Sequence, residues 1–314
     1  MKKYLRYVAW LIAVLLLLVL LGDFGYSRYV AAKLKRWERT VERDEDGVME
    51  GCQAYTLAPD EPSDTALLLV HGINDTPYCW RKMAPELANR FHMRAMRMPG
   101  FGEPIPVCAQ KTAEDWIAAV KSEAKSLREK HEKVYIVAHS LGGAVSIQML
   151  LREKEAQEEL LDGIVLLAPA IEVSNRRSPL LPTRFWHRVG SLLLFTHTTY
   201  VPFGNDCKDL AEQNPANRVR FSTLRSIDET FKLIDGNRGR EAEIRIPVLL
   251  VLSEQDSVND HEASAAWFDK IPSQRKETHW QNDSGHLLQY DLGWQAVAEK
   301  IGAFVQPEDR SGEQ

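Results

Sequence analysis

The residues most able to do chemistry in this chain lie around Ser140, in Ala138-His139-Ser140-Leu141-Gly142. The segment follows a five-residue apolar run, Val134 to Ala138 (VYIVA), and opens a helical stretch from Leu141 to Leu151. A serine on so sharp a strand-to-helix turn is a nucleophile elbow, which needs small residues two before and two after it. Gly142 meets that need, and Ala138 exceeds it by one methyl. The turn also sets the Leu141 amide at a helix N-terminus, aimed at a developing oxyanion. A second donor should come from the loop after an earlier strand. His71-Gly72-Ile73, after ALLLV, supplies it through the Ile73 amide, and His71 holds the loop. A nucleophilic serine needs a base and a carboxylate to orient that base. Of nine histidines, His286 in Asp283-Ser284-Gly285-His286-Leu287 is the best placed, with His279 and His261 as competitors. Asp256, just beyond the run VLLVL, is the candidate carboxylate, and Asp260 is the reserve. The alternative for the Ser140 segment is a tight glycine turn without chemistry; the strand before it and the helix after it disfavour that. Such a set attacks an acyl carbonyl and requires no metal or organic cofactor.

These residues need a framework that brings distant segments together. Ala66–Val70, Met93–Met98, Val134–Ala138, Ile164–Ala168 and Val248–Leu252 are short apolar runs, the signature of strands buried on both faces. Between them, Tyr78–Phe91 reads as a helix, and Thr112 with Asp115 forms a capping-box-like start for another. Alternating strands and helices predict a doubly wound, mostly parallel α/β sheet with right-handed crossovers. The interval 171–240 breaks the rhythm and reads as a helical cap inserted into a core of residues 47–170 and 241–305.

With both frame and chemistry in view, the sequence resembles an α/β-hydrolase of the carboxylesterase and monoacylglycerol-lipase-like group, which overlaps the serine aminopeptidase S33 type. The matching pieces are LLLVHGINDTPYCW, RMPGFGEPI, VYIVAHSLGGA, LSEQDSV and SGHLL, and the chain order Ser, Asp, His is that of the fold. Two departures stand out: Phe101 where the group usually has His, and Ala138 where it has Gly. The resemblance implies hydrolysis of carboxylic esters through an acyl-enzyme. Serine rather than aspartate at the elbow argues against haloalkane-dehalogenase or epoxide-hydrolase chemistry. A peptidase acting on N-terminal residues would want acidic groups in the cap, where Glu172, Asp206, Asp209 and Glu212 stand. A non-catalytic binding protein on the same fold is the third reading.

The chain has 314 residues, a net charge of -5 and 44% hydrophobic residues, which excludes a disordered chain and argues against a nucleic-acid binder. Lys2, Lys3 and Arg6 precede an unbroken apolar run from Val8 to Leu21. That pattern predicts an uncleaved signal-anchor over residues 1–30, with a cleaved signal peptide as the alternative. A charged segment (31–46), either a short helical stalk or a juxtamembrane linker, should follow, and residues 306–314 should form a polar tail. The catalytic domain is then expected outside the cytoplasm, in a periplasm-like space. There Cys52, Cys79, Cys108 and Cys207 could form two bridges, free buried thiols being the alternative. In the cap, Leu180 to Phe195 places Phe185 and Trp186 at helical spacing. They are expected to roof the Ser140 pocket and favour medium or long acyl monoesters, such as monoacylglycerols or lysophospholipids.

Overall fold

The computed structural model describes residues 2–178, 180–215 and 217–306. Its centre is a sheet of seven strands: β1 (Tyr55–Leu57), β2 (Thr65–Val70), β3 (His92–Met96), β4 (Lys133–His139), β5 (Gly163–Leu167), β8 (Val248–Leu252) and β9 (Lys276–Trp280). They lie in the order β1-β3-β2-β4-β5-β8-β9, and only β1 runs antiparallel to its neighbour. Two short strands, β6 (Thr198–Tyr200) and β7 (Phe221–Thr223), form a separate ribbon within the inserted segment.

Side chains alternate across each strand, so the apolar runs feed two cores. Ala66, Leu68 and Val70 face one, together with Ile136, Leu166 and Leu250. Its cover comes from α4 (Ala113–Arg128), α5 (Leu141–Arg152) and α9 (His261–Asp269), through Trp116, Val145 and Phe268. Leu67 and Leu69 face the other, with Val137, Val165 and Leu249. There Leu87 of α2 (Met83–Leu87) and Ile301 and Phe304 of α10 (Trp294–Val305) close the layer. The capping box on Thr112 forms: its Oγ1 accepts from the Asp115 N–H, and Asp115 Oδ2 accepts from the Thr112 N–H at 2.8 Å. The chain runs outward from β2 to β3, then crosses back to β4. That reversal opens a crevice at the carboxyl ends of β2 and β4, where ligands bind in open α/β sheets.

Several elements differ from the sequence expectation. Tyr78–Phe91 is not one helix but a 3-10 turn, Pro77–Trp80, followed by the short α2. Pro85 has no N–H to donate to a preceding turn, so a helix here can only begin just before it. The edge strands β1 and β9 were not expected; one is three residues long and the other, KETHW, is largely polar. The remaining short helices are α3 (Ile105–Cys108) and α6 (Gln157–Leu160). Within 171–240 the helices are α7 (Thr183–Gly190) and α8 (Leu224–Asn237). α8 buries Phe231, Leu233 and Ile234 in the main core, so it is part of the body rather than of a free-standing cap.

At the amino end, α1 is one unbroken helix, Lys2–Glu38, so the charged segment 31–46 begins as a helical stalk. Its first half is exposed, and its second half docks, with Val30 buried against Ile105 and Phe221. The expected tail at 306–314 falls almost wholly outside the described residues. All four cysteines are buried and unpaired, which is the second of the two alternatives, free buried thiols.

Candidate active site

Ser140 sits between β4 and α5 with φ 51° and ψ -116°, a conformation that costs a non-glycine residue about 1–3 kcal/mol. Neighbouring contacts enforce it. The Ser140 N–H donates to the Leu167 carbonyl at 3.0 Å, and its own carbonyl accepts from Gly143 and Ala170, each at 3.0 Å. A Cβ on Gly142 would stand 2.6 Å from the Val70 carbonyl oxygen and 2.7 Å from that of His71. Glycine is therefore the one residue that lets α5 start against the end of β2. Ala138 is fully buried, and its extra methyl is accommodated.

Ile73 follows β2 across the crevice, and Leu141 is the first residue of α5. Among the described residues, neither amide donates to a backbone carbonyl. Two unpaired N–H groups, one at a helix N-terminus, are the ingredients of an oxyanion site. His71 holds the loop as expected: its Nδ1–H donates to the Gly72 carbonyl at 2.8 Å, and its Nε2 accepts from the Met98 N–H at 3.1 Å. Burial drives its pKa down to about 4, which keeps the ring in the neutral tautomer this bonding needs.

His286 and Asp256 meet as a buried pair, with Nδ1–H donating to Asp256 Oδ2 at 2.8 Å. The other carboxylate oxygen accepts the N–H groups of Val258 at 2.7 Å and Asn259 at 2.9 Å, which fixes its rotamer. The competitors go elsewhere. Asp260 caps α9 through the Ala263 N–H, His261 packs edge-on against Trp280, and His279 lies on β9. His286 stands in a loop eight residues before α10.

Sequence reading missed two residues beside this pair. His139 donates from Nε2 to the His286 carbonyl at 3.1 Å, and the two rings pack with centroids 4.7 Å apart. Burial, with the neighbouring His286 and His71, holds His139 well below the usual imidazole range, so it is a neutral support. Asn259 donates to the Ala168 carbonyl at 2.8 Å and lies 3.5 Å from Ser140 Oγ. The position of His139, next to the candidate nucleophile, was a usable signal; Asn259 had none.

Ser140 and His286 line one cavity of about 170 Å³, shared with Ile73, Asp75, Arg81, Arg177 and Arg218. Its walls are more polar than the sequence suggested. Arg81 pairs with Glu212, and Arg177 with Asp206 at 3.2 Å and Ser257 at 2.7 Å. Burial raises the Asp75 carboxyl to about 6. Phe185 and Trp186 are not brought to this cavity. They lie on α7, 43% and 47% exposed, and pack on each other. The expectation that they roof the pocket is corrected: the face of α7 turned to the body is its polar one.

The whole arrangement can activate a serine and stabilise an oxyanion. A family model described as serine aminopeptidase, S33, matches residues 61–293. The chain is 22% identical over 258 residues to a thermostable monoacylglycerol lipase of Bacillus sp. (strain H-257), covering 82% of this chain and 95% of that one. It is 21% identical to a phospholipase of Bacillus subtilis (strain 168), over 71% of this chain and 87% of the relative. Among solved structures, a metagenome-derived lipolytic enzyme superposes with a TM-score of 0.70 at 20% identity, covering 83% of this chain and 100% of that one. The monoglyceride lipase of Saccharomyces cerevisiae, in a soluble variant, gives 0.67 at 14% identity, over 84% and 93%. This chain has the α/β-hydrolase fold and belongs to the serine aminopeptidase S33 family of hydrolases.

Proposed function

We propose that the protein is a membrane-anchored serine hydrolase that cleaves lipid-like carboxylic monoesters through an acyl-enzyme. The observation that carries this reading is the buried Asp256–His286 pair at 2.8 Å, facing the cavity that holds Ser140 on its strained turn. In the reaction, Ser140 rotates from Asn259 toward His286, which takes its proton as Oγ attacks the acyl carbonyl. Asp256 holds the imidazole tautomer and stabilises its charged form. The Ile73 and Leu141 amides bind the oxyanion, an effect worth about 3–4 kcal/mol per donor on the barrier. The alcohol leaves with the proton from His286. Water then attacks the acyl-enzyme, with His286 again the base, and free acid is released.

The lipid part of the reading rests on the monoacylglycerol lipase and phospholipase relatives and on the apolar half of α1. The same segment passes as a signal sequence, but the docking of its second half on the body favours retention. A peptidase has weaker support. The acidic residues of the insert are consumed in ion pairs: Glu172 with Arg184 and Arg238, Asp206 with Arg177, Asp209 with Lys82, and Glu212 with Arg81 and Lys82. Asp75 alone gives a substrate amine something to grip in the cavity. Turnover of p-nitrophenyl butyrate and octanoate against aminoacyl anilides decides the matter. Ester hydrolysis without anilide hydrolysis is expected; the reverse preference would reject the esterase.

A further inference from the structure

α7 is amphipathic the wrong way round for a protein in water. Arg184 and His187 face the body: Arg184 pairs with Glu172 and Asp235 at 2.9 Å, and His187 lies 3.5 Å from Asp228 and packs on Phe231, while Arg188 is exposed with the outward residues. Its apolar residues Phe185, Trp186 and Val189 face outward, and the helix buries no residue. Flanking it, Leu180 is 84% exposed and Leu192 77%. A soluble helix turns its apolar stripe inward, so this face calls for a non-aqueous partner.

The partner is indicated by what the patch adjoins. Asp23 of α1 is buried where the helix meets the insert, its carboxylate accepting the N–H groups of Leu194, Phe195 and Thr196 at 2.8 to 3.0 Å. Ser27 donates to the Phe195 carbonyl at 2.7 Å, and Phe24 meets Phe195 edge-to-face at 5.5 Å. On the other side of Asp23, the stretch from Tyr4 to Gly22 is exposed all round except for half-buried Val14. At about 1.5 Å per residue that stretch spans roughly 28 Å, close to the roughly 30 Å of a bilayer's hydrocarbon core. The Asp23 clamp thus marks where the anchor leaves the lipid, and it joins that point to the end of the segment 180–195.

We infer that the segment from Leu180 to Phe195 inserts into the surface of the same bilayer that receives α1, with Asp23 fixing its register to the anchor. The inference rests on the membrane-anchor part of the proposed function. It gives Phe185 and Trp186 a role at the headgroup boundary, where aromatic side chains are favoured. The segment itself does not line the Ser140 cavity, but Arg177 before it and Val201 after it do, so an interfacial segment ties the cavity to the surface from which a lipid ester would come.

The full chain suits a depth measurement, because its four cysteines are buried. Nitroxides attached in Ile12→Cys, Phe185→Cys, Val189→Cys and Glu158→Cys are read in phosphatidylcholine–phosphatidylglycerol vesicles. Oxygen should relax the labels at 12, 185 and 189, and a soluble nickel complex the label at 158. The labels at 185 and 189 should lie about 5–10 Å into the headgroup and acyl boundary. Asp23→Ala should return the label at 185 toward water while the label at 12 stays in lipid; no change would reject the clamp. If 185 and 189 meet nickel as 158 does while 12 stays shielded, the insertion is wrong and the anchor stands. If 12 is itself open to nickel, the anchor reading has failed. Shielding at 185 with label–label broadening that disappears on dilution with unlabelled chain would instead assign the face to a second copy. In the same vesicles, Leu192→Glu should cut hydrolysis of embedded monoacylglycerol about tenfold and leave a soluble short-chain ester within about twofold. Equal effects on both would contradict the inference.

Discussion

Ser140 adopts positive φ because three contacts hold it there, and its neighbours inherit their roles from that geometry. The residue types and their order made Ser140, Asp256 and His286 legible in sequence, because an elbow, a late histidine and a post-strand acid are local signals. Asn259 was not, since its partner, the Ala168 carbonyl, comes from a distant segment, and His139 showed only its place beside Ser140, not its bond to the His286 carbonyl. Phe185 and Trp186 were misplaced because helical spacing reveals an apolar stripe and not the direction it faces. Asp256→Asn should keep the fold but lower kcat for a soluble ester by about a thousandfold or more, as the amide favours the wrong imidazole tautomer. Steady-state kinetics checks this, and a loss under about tenfold would remove Asp256 from its role.

Asp75 offers a test of a different kind. Its folded carboxyl is raised to about 6 from the ordinary 3.8, so the fold disfavours its charge. The cost is absent below pH 3.8, grows as pH rises through the interval, and is complete above 6. Asp75→Asn should therefore be more stable than wild type at pH 8, by about 1–2 kcal/mol given the partial opening to the cavity, and equal to it near pH 4. Urea midpoints at the two pH values read this directly. A variant with the same advantage at both would show that charge burial is not the cause.

Among the elements, β2, β4 and α5 position the site, and their approach depends on Gly142. The strands they use were legible because continuous apolar runs are what a sheet buried on both faces requires. The edges β1 and β9 and the broken helix around Pro85 were not, since short or polar strands and proline-limited turns carry little periodic signal. Gly142→Ala would press a Cβ to 2.6 Å from a backbone carbonyl that cannot move alone. The expected result is destabilisation by about 1–3 kcal/mol together with displacement of the Ile73 loop and loss of ester turnover. Gly190→Ala, whose added methyl meets nothing within 4 Å, should change neither. Equal melting temperatures for the two variants would show that the β2–α5 contact is not tight.

At the scale of the molecule, the chain joins an α/β-hydrolase body to a helix whose first half shuns water and whose second half grips the insert. Composition announced the apolar half, but not the grip, because one aspartate binding three amides leaves no pattern in the sequence. The four buried free thiols lend no support to an oxidising compartment, and the side of the membrane on which the body lies is independent of the chemistry. The proposed chemistry turns on one atom, Ser140 Oγ. The most direct measurement treats the full chain with a fluorophosphonate, maps the adduct by mass spectrometry and follows ester hydrolysis alongside. The account predicts a single adduct on Ser140, activity lost in step with labelling, and a folded Ser140→Ala variant that neither labels nor turns over ester. Labelling at another residue, or undiminished hydrolysis by Ser140→Ala, would contradict it.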